Sequence, residues 1–288
     1  MTSKEIPTKQ QTSREWMWLL AVVAVAVVMY IPTLRYFWRS WMGDSQYSLA
    51  YLVPFVSGYF IWIKWATVKK LKRSSCRAGL SVIVLGLLVH LAGTALDISG
   101  LSSVSLLLCL VGGCMYFHSK ALVQTLAFPL AYMVFMIPIP GGVVDRVGFP
   151  LQLWASGGTA MLLKLMQIEV VHNGVNLTVD GNSFTVAQAC SGMSSLVALV
   201  GVTAVFAYIT KLPVKFKWAL FFLSIPVALI ANVVRITTIG LVAYQWGADS
   251  AIKIYHDWSS PILFMAAILM LFFINWGFEW LSARRTTS

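Results

Sequence analysis

Apolar stretches of about 18 to 25 residues recur along the chain and are separated by short polar segments. At the 1.5 Å rise per residue of an α-helix, such a stretch crosses about 30 Å of hydrocarbon. The pattern therefore predicts an all-α polytopic membrane protein with about eight transmembrane helices. The predicted spans cover residues 16–34, 48–66, 78–96, 101–118, 121–139, 190–210, 217–236 and 259–281.

Residues 140–189 form the longest segment between predicted spans. Its first half, from Val143 to Met166, is apolar but contains Pro150 and the pair Gly157-Gly158. Proline and glycine disfavour a continuous helix, so this half predicts an interfacial or re-entrant helix pair.

The second half of that segment changes its period. From Ile168 to Val186, β-branched residues alternate with polar ones, and the chain contains the turn signals Asn173-Gly174 and Asp180-Gly181. This alternation is typical of strands, and both dipeptides favour tight turns. We therefore expect a small extracytoplasmic β-hairpin immediately before the sixth span.

The composition agrees with the periodicity. Of the 288 residues, 59% are hydrophobic and 11% are charged, against roughly a quarter charged in soluble domains. A soluble protein is therefore excluded, and the lipid bilayer is an obligatory partner. Since no Ser/Pro/Gly-rich linker divides the chain, we expect a cytoplasmic tail over residues 1–15 and one integral-membrane domain over residues 16–288.

The formal net charge of +11 raises the question of nucleic-acid binding. The cations, however, lie in short loops beside apolar spans, which fits retention of cytoplasmic loops better than a nucleic-acid surface. Most of the 21 Lys and Arg residues fall on the side shared by the two termini. The others are Arg35, Arg39, Arg146, Lys164, Arg235 and Lys253. Both termini are therefore predicted to be cytoplasmic, in a multi-pass protein of the cell membrane.

Cys190 lies where the polar outer segment meets the sixth span. The first turn of a helix has free backbone N–H groups and a positive dipole end, which favour a thiolate. Ser191 and Gly192 follow, and their small size leaves room for a substrate backbone. The alternative is an inert packing cysteine. The four cysteines form no CxxC pair and no Cys/His spacing typical of a metal site, so no metal and no cofactor is predicted.

Arg235 is placed about 27 Å along the seventh span from Lys217, close to its outer edge. Asn232 lies one turn earlier on the same face. An arginine in an apolar run normally faces a polar cavity or partner, whereas the alternative is a side chain that snorkels to the outer headgroups. His256 lies at the outer mouth of the eighth span, where an interfacial histidine without function is the alternative.

The predicted topology places Cys190, Arg235 and His256 at the same outer leaflet. A thiolate nucleophile, an imidazole that shuttles protons and a guanidinium that stabilises the thiolate or the oxyanion are sufficient for acyl transfer. Other polar residues form weaker candidates. His90, Asp97 and His118 offer no metal-ligand cluster, and His172 and Asp180 are assigned to solvated turns of the hairpin.

Three segments resemble the exosortase/archaeosortase family: VAQACSGMSSL at residues 186–196, ANVVRI at residues 231–236, and YHDW around His256. The resemblance implies a polytopic membrane enzyme with Cys190 as nucleophile, together with Arg235 and His256. It also implies the substrate, a secreted protein with a C-terminal sorting signal. Such a signal comprises a short motif such as Pro-Glu-Pro, a transmembrane helix and a basic cluster. The enzyme would cleave near the motif through a thioester.

Two other classes of function compete with a membrane cysteine protease or transpeptidase. A transporter or lipid flippase would use Arg235 to bind an anionic substrate, with Cys190 as packing. A transporter should carry polar groups near the bilayer midplane, whereas this chain gathers them at one face. The third class is a non-catalytic assembly partner, which requires that the three residues be dispensable.

Overall fold

The computed structural model describes residues 9–43, 47, 50–179, 181–185, 193–247 and 260–286. These residues form α-helices, two short 3₁₀ segments and one small sheet. The helices are α1 (Lys9–Gly43), α2 (Val53–Ile63), α3 (Trp65–Lys70), α4 (Arg77–Ala95), α5 (Ser99–Phe117), α6 (Lys120–Thr125), α7 (Ala127–Tyr132), α8 (Gly141–Leu165), α9 (Met193–Ile209), α10 (Val214–Trp246) and α11 (Ser260–Thr286). The strands are β1 (Val170–Asn173), β2 (Asn176–Val179) and β3 (Asn182–Thr185).

Each of the eight predicted spans contains helix. The helices differ in length, and only some of them are long enough to cross a membrane. Within the described residues, four helices are long and apolar enough to cross a membrane: α4, α5, α10 and the Phe264–Ser282 part of α11. Residues Ala127–Met136 and α8 together make a fifth candidate that is bent by 85°. The polytopic membrane architecture is thus confirmed, while the full number of eight spans stays a prediction.

The predicted fifth span, residues 121–139, is not one straight helix. It divides at Leu126 into α6 and α7, and then tightens into a 3₁₀ turn over Met133–Met136. Pro138 and Pro140 follow, and proline cannot donate a backbone hydrogen bond to continue a helix. The chain therefore turns sharply before α8.

The predicted helix pair over Val143–Met166 is wrong, because α8 is one continuous helix of 25 residues that includes Pro150. Gly158 does not break the helix. A Cβ atom on Gly158 would lie 3.1 Å from a methyl carbon of Val233, so the missing side chain lets α8 approach α10 closely. The glycine therefore serves helix packing, which the sequence pattern did not reveal.

The predicted hairpin is a three-stranded antiparallel sheet in the order β1-β2-β3. Val170 pairs with Val179, and Asn176 pairs with Thr185. Gly174 and Gly181 have positive φ angles of 63° and 77°, which glycine adopts at little steric cost. Because both predicted turns form, the segment folds into three strands where two were expected.

Helices α4 and α5 pack as a close pair through small residues. A Cβ atom on Gly79 would lie 2.8 Å from the carbonyl oxygen of Gly112, and one on Gly93 would lie 2.7 Å from the backbone nitrogen of Ser102. Small residues that let backbones approach are characteristic of helix pairs in membranes, where lipid removes the hydrophobic drive for association. The α4–α5 contact therefore depends on glycine at these positions.

Two adjacent glycines in α5 allow a matched test of this packing. A Cβ atom on Gly112 would lie 2.9 Å from the backbone oxygen of Gly79 and the backbone nitrogen of Ile83, whereas one on Gly113 would meet nothing within 4 Å. We expect Gly112→Ala to lower the free energy of unfolding by about 1–3 kcal/mol. Gly113→Ala should leave it unchanged or raise it by up to about 1 kcal/mol. Thermal unfolding of the purified variants in detergent measures both, and equal stability of the two variants would contradict this packing.

Helices α8, α9, α10 and α11 form the part of the molecule that carries the candidate site. One buried cluster joins α9, α10 and α11 and contains Leu199, Leu220, Val227 and Leu271. A second cluster joins the sheet to α8 and α10 and is described below. The helix α10 lies in both clusters, so its two faces connect the sheet side of the protein to the α9–α11 side.

Candidate functional site

Arg235 lies within α10, which extends beyond the predicted span of residues 217–236. The helix continues to Trp246, eleven residues or about 16 Å beyond Arg235. Only 7% of Arg235 is exposed, and Asn232 is 3% exposed. A side chain that snorkels to lipid headgroups would present its charged end at the protein surface. The burial of Arg235 therefore contradicts the snorkelling alternative.

Arg235 and Asn232 both line a narrow cavity of about 20 Å³ between three helices. Its walls come from α9 (Ser195 and Leu199), α10 (Ala228, Ala231, Asn232 and Arg235) and α11 (Phe264 and Ala267). A cavity of this size holds about one water molecule. The structure thus brings a buried cation and a side-chain amide to a small internal cavity.

Two walls of the cavity come from near the N-terminal ends of α9 and α11. Ser195 lies in the first turn of α9, which begins at Met193. Phe264 lies about one turn into α11, which begins at Ser260. Of the six site residues predicted from the sequence, Asn232 and Arg235 therefore share one cavity. The other four, Cys190, Ser191, Gly192 and His256, lie outside the described residues.

The three-stranded sheet packs beside this cavity on the opposite face of α10. Leu177 and Val179 of β2 are fully buried against Ala160 and Leu163 of α8 and against Ile236, the neighbour of Arg235. The sheet is therefore anchored to α8 and α10. Strand β3 ends at Thr185, five residues before Cys190 in the sequence.

A hydrogen-bond cluster ties the sheet to α8. The Ser156 Oγ donates to the carbonyl oxygen of Gly174 at 2.8 Å, and the Nε2 of His172 lies 3.2 Å from the same hydroxyl. His172 is an exposed residue of β1, so the expected solvated position is confirmed, while the expected turn is a strand. Sequence reasoning missed Ser156. The available signal was a polar residue in the middle of an apolar helical face.

The other candidate histidines are located away from the cavity. His90 is buried in α4, where its Nδ1 lies 3.5 Å from the Ser105 hydroxyl of α5. The Tyr30 hydroxyl of α1 lies 2.9 Å from Ser105, so these side chains connect three helices. His118 contacts the neighbouring Ser119 at 3.4 Å. The described residues contain no group of three or more His, Cys, Asp or Glu side chains that could hold a metal ion.

A model of the transmembrane exosortase family matches residues 38–273, which is most of the chain. The chain belongs to this family. The matched residues include all those that line the cavity between α9, α10 and α11. They also include Cys190, Arg235 and His256. No curated protein and no solved structure gave a significant match. The resemblance inferred from the sequence motifs is therefore confirmed, and the exosortase is a multi-pass membrane protein of a family associated with the processing of sorting signals.

Proposed function

We propose that this exosortase is a cysteine protease or transpeptidase that cleaves the C-terminal sorting signal of secreted proteins at the outer face of the cell membrane. The observation that carries the proposal is the cavity that contains Arg235 and Asn232. Its walls include residues near the N-terminal ends of α9 and α11. These helices directly follow the two segments that contain Cys190 and His256 in the sequence.

Chain length supports a shared site for the three residues. Cys190 precedes Met193 by three residues, which span at most about 11 Å when extended. His256 precedes Ser260 by four residues, which span at most about 14 Å. The start of α9 is therefore close along the chain to the proposed nucleophile, and the start of α11 is close to the proposed base.

The burial of Arg235 also supports a functional role. An arginine in a membrane-spanning helix costs about 2.5–3.5 kcal/mol on insertion scales. Such residues normally face the protein interior and mark functional sites. Arg235 is buried and faces a cavity, so the insertion cost is consistent with a guanidinium retained for chemistry.

The proposed reaction proceeds in two steps. The Cys190 thiolate attacks the carbonyl carbon of the scissile peptide, and Arg235 stabilises the negative charge on the oxygen. The C–N bond then breaks, His256 gives its proton to the leaving amine, and a thioester remains on Cys190. An acceptor amine or water attacks this thioester, loses a proton to His256 and releases the thiolate. Asn232, Ser191 and Gly192 would bind the substrate beside these groups.

The orientation of the site follows from the charge distribution. With both termini cytoplasmic, Lys217 lies near the inner face and Arg235 lies about 27 Å along α10, near the outer boundary of the hydrocarbon. The sheet that packs beside Ile236 would then lie outside the membrane. We also infer a cytoplasmic tail over residues 1–15 and a single membrane domain over residues 16–288.

The test of this function follows a secreted reporter that ends in a Pro-Glu-Pro motif, an apolar helix and an arginine cluster. We expect cells with the wild-type protein to release the reporter at the motif, as measured by the mass of the product. We expect His256→Gln to slow the release by a hundredfold or more, because glutamine keeps a hydrogen bond but cannot shuttle a proton.

His118→Gln is the matched control, because His118 contacts Ser119 away from the cavity. This control should process the reporter at the wild-type rate. An uncleaved reporter in wild-type cells, or a normal rate with His256→Gln, would contradict the proposed function. Reporter-independent movement of an anionic lipid by the wild-type protein would instead favour the flippase.

A further inference from the structure

Helix α1 carries two arginines, Arg35 and Arg39, about one turn apart near its C-terminal end. Arg35 follows Glu15 by 20 residues, with no charged residue between them. This part of the helix rises about 30 Å, which is the thickness of the hydrocarbon layer. The uncharged run therefore just spans the layer, and in the proposed topology the two arginines lie at its outer boundary, at the level of the lipid headgroups.

The two arginines lie on a side of α1 that faces away from the rest of the protein. The other side of the helix is buried through Tyr30 and Phe37, and the Tyr30 hydroxyl lies 2.9 Å from that of Ser105 in α5. Leu34 and Trp38, which flank the first arginine, are 47% and 63% exposed. In a membrane, an exposed helix face at this level is surrounded by lipid.

A shallow groove on this exposed side contains both guanidinium groups. Its volume is about 290 Å³, and its lining consists of Ile31, Leu34, Arg35, Trp38 and Arg39, without an acidic side chain. Like charges four residues apart on a helix repel each other. A phosphate placed between them removes this repulsion, because each planar guanidinium can donate two N–H bonds to its oxygens.

The order of residues along the groove matches a phospholipid. Ile31 and Leu34 lie on the hydrocarbon side, where acyl chains contact them, and Arg39 lies about 6 Å beyond Arg35 in the direction of water. Trp38 is of the residue type that is enriched at the interface between hydrocarbon and water. A free phosphate ion would contact only the cationic end of the groove, whereas a phospholipid contacts both ends.

We propose that this groove binds an anionic phospholipid, with its phosphate between Arg35 and Arg39 and an acyl chain against Ile31 and Leu34. The lipid is a bound partner of α1 and not a reactant. The groove shares no residue with the cavity that contains Arg235, so the proposal does not rest on the proposed function. Two arginines that merely snorkel to any headgroup would show no preference for a lipid with net negative charge.

The test measures the preference of the groove for phosphatidylglycerol over phosphatidylcholine. The purified protein is placed in nanodiscs of both lipids, one of them brominated, and quenching of Trp38 is taken as the difference between wild type and Trp38→Phe. We expect the relative binding constant at Trp38 to favour phosphatidylglycerol by about tenfold. The double variant Arg35→Gln, Arg39→Gln should lower this ratio to about one, since both phosphate contacts are lost.

The matched control is the double variant Arg73→Gln, Arg77→Gln. It also removes two exposed arginines that are four residues apart, but outside the groove, and it should keep the tenfold preference. Melting temperatures in phosphatidylcholine nanodiscs show which variants are folded. If the glutamine pair at the groove fails to fold, the pair Arg35→Lys, Arg39→Lys decides. It should lower the preference to about threefold, because lysine keeps the charge without the planar fork.

Four results would overturn the proposal. The first is equal quenching by the two lipids in the wild type, which means snorkelling to any headgroup. The second is an unchanged preference in the folded groove variant, or the same loss in the control. The third is reversal of the quenching by an excess of inorganic phosphate, which would identify a site for the free ion. The last is slower processing of the reporter by the groove variant with an unchanged lipid preference, which would assign the groove to an acidic residue of the substrate.

Discussion

Replacement of Cys190 by alanine is expected to abolish processing of the reporter, with no product detectable above the level in cells that lack the enzyme. The thiolate is the only group in the proposed mechanism that forms a covalent bond to the substrate, so its loss leaves no acyl intermediate. Cys190→Ser should also fail. A serine hydroxyl ionises far less readily than a thiol, and a site arranged to stabilise a thiolate does not provide the stronger base that serine requires.

Cys76→Ala is the matched control for this experiment. Cys76 lies at the start of α4, beside the basic residues of the predicted cytoplasmic side, and its replacement should leave the rate unchanged. Both variants are compared at equal protein levels in the membrane, and their melting temperatures are measured after purification. Normal processing by Cys190→Ala would exclude thiol catalysis at this position. The same loss with Cys76→Ala would show that the assay reports on folding and not on chemistry.

The second large effect is expected for Arg235→Lys, which should lower kcat by a hundredfold or more while the positive charge is kept. Arginine presents a planar fork that can contact a carbonyl oxygen through two N–H groups, whereas lysine provides a single ammonium on a flexible stem. Because Arg235 is 7% exposed and faces a cavity of about 20 Å³, the shorter reach of lysine is not compensated by movement. The loss should appear in kcat more than in KM, since the oxyanion forms only during the reaction.

Arg146→Lys provides the same substitution at an exposed position of α8 and should be neutral. Size-exclusion profiles and melting temperatures show whether Arg235→Lys remains folded, and the comparison is made only on folded protein. If folded Arg235→Lys processes the reporter at the wild-type rate, the guanidinium is not the group that stabilises the oxyanion. The donor would then have to be sought within residues 140–189.

The sequence pattern was sufficient for the elements that depend on local physics. Long apolar stretches predicted helices at all eight positions because the bilayer requires about 20 apolar residues per span. The Asn173-Gly174 and Asp180-Gly181 signals marked the turns correctly, because glycine alone adopts positive φ freely. The motifs around residues 190, 235 and 256 were sufficient to recognise the exosortase family.

Other features depend on contacts between segments that are distant in the sequence. Pro150 and Gly158 were expected to interrupt α8, but Gly158 is the position where α8 approaches Val233 of α10. Two turns were expected to give a hairpin, whereas pairing of Asn176 with Thr185 adds a third strand. In both cases the sequence identified the local signal. The structure that the signal forms depends on a contact with another segment of the chain.

The sequence by itself determined a polytopic membrane protein of the exosortase family and the type of residue available for its chemistry. Only the tertiary structure decided that Arg235 is buried and that it shares a cavity with Asn232. The physical reason is that burial and hydrogen bonding depend on which helices meet. A helical pattern specifies the face that is apolar, but the neighbour of that face is set by the packing of the whole chain.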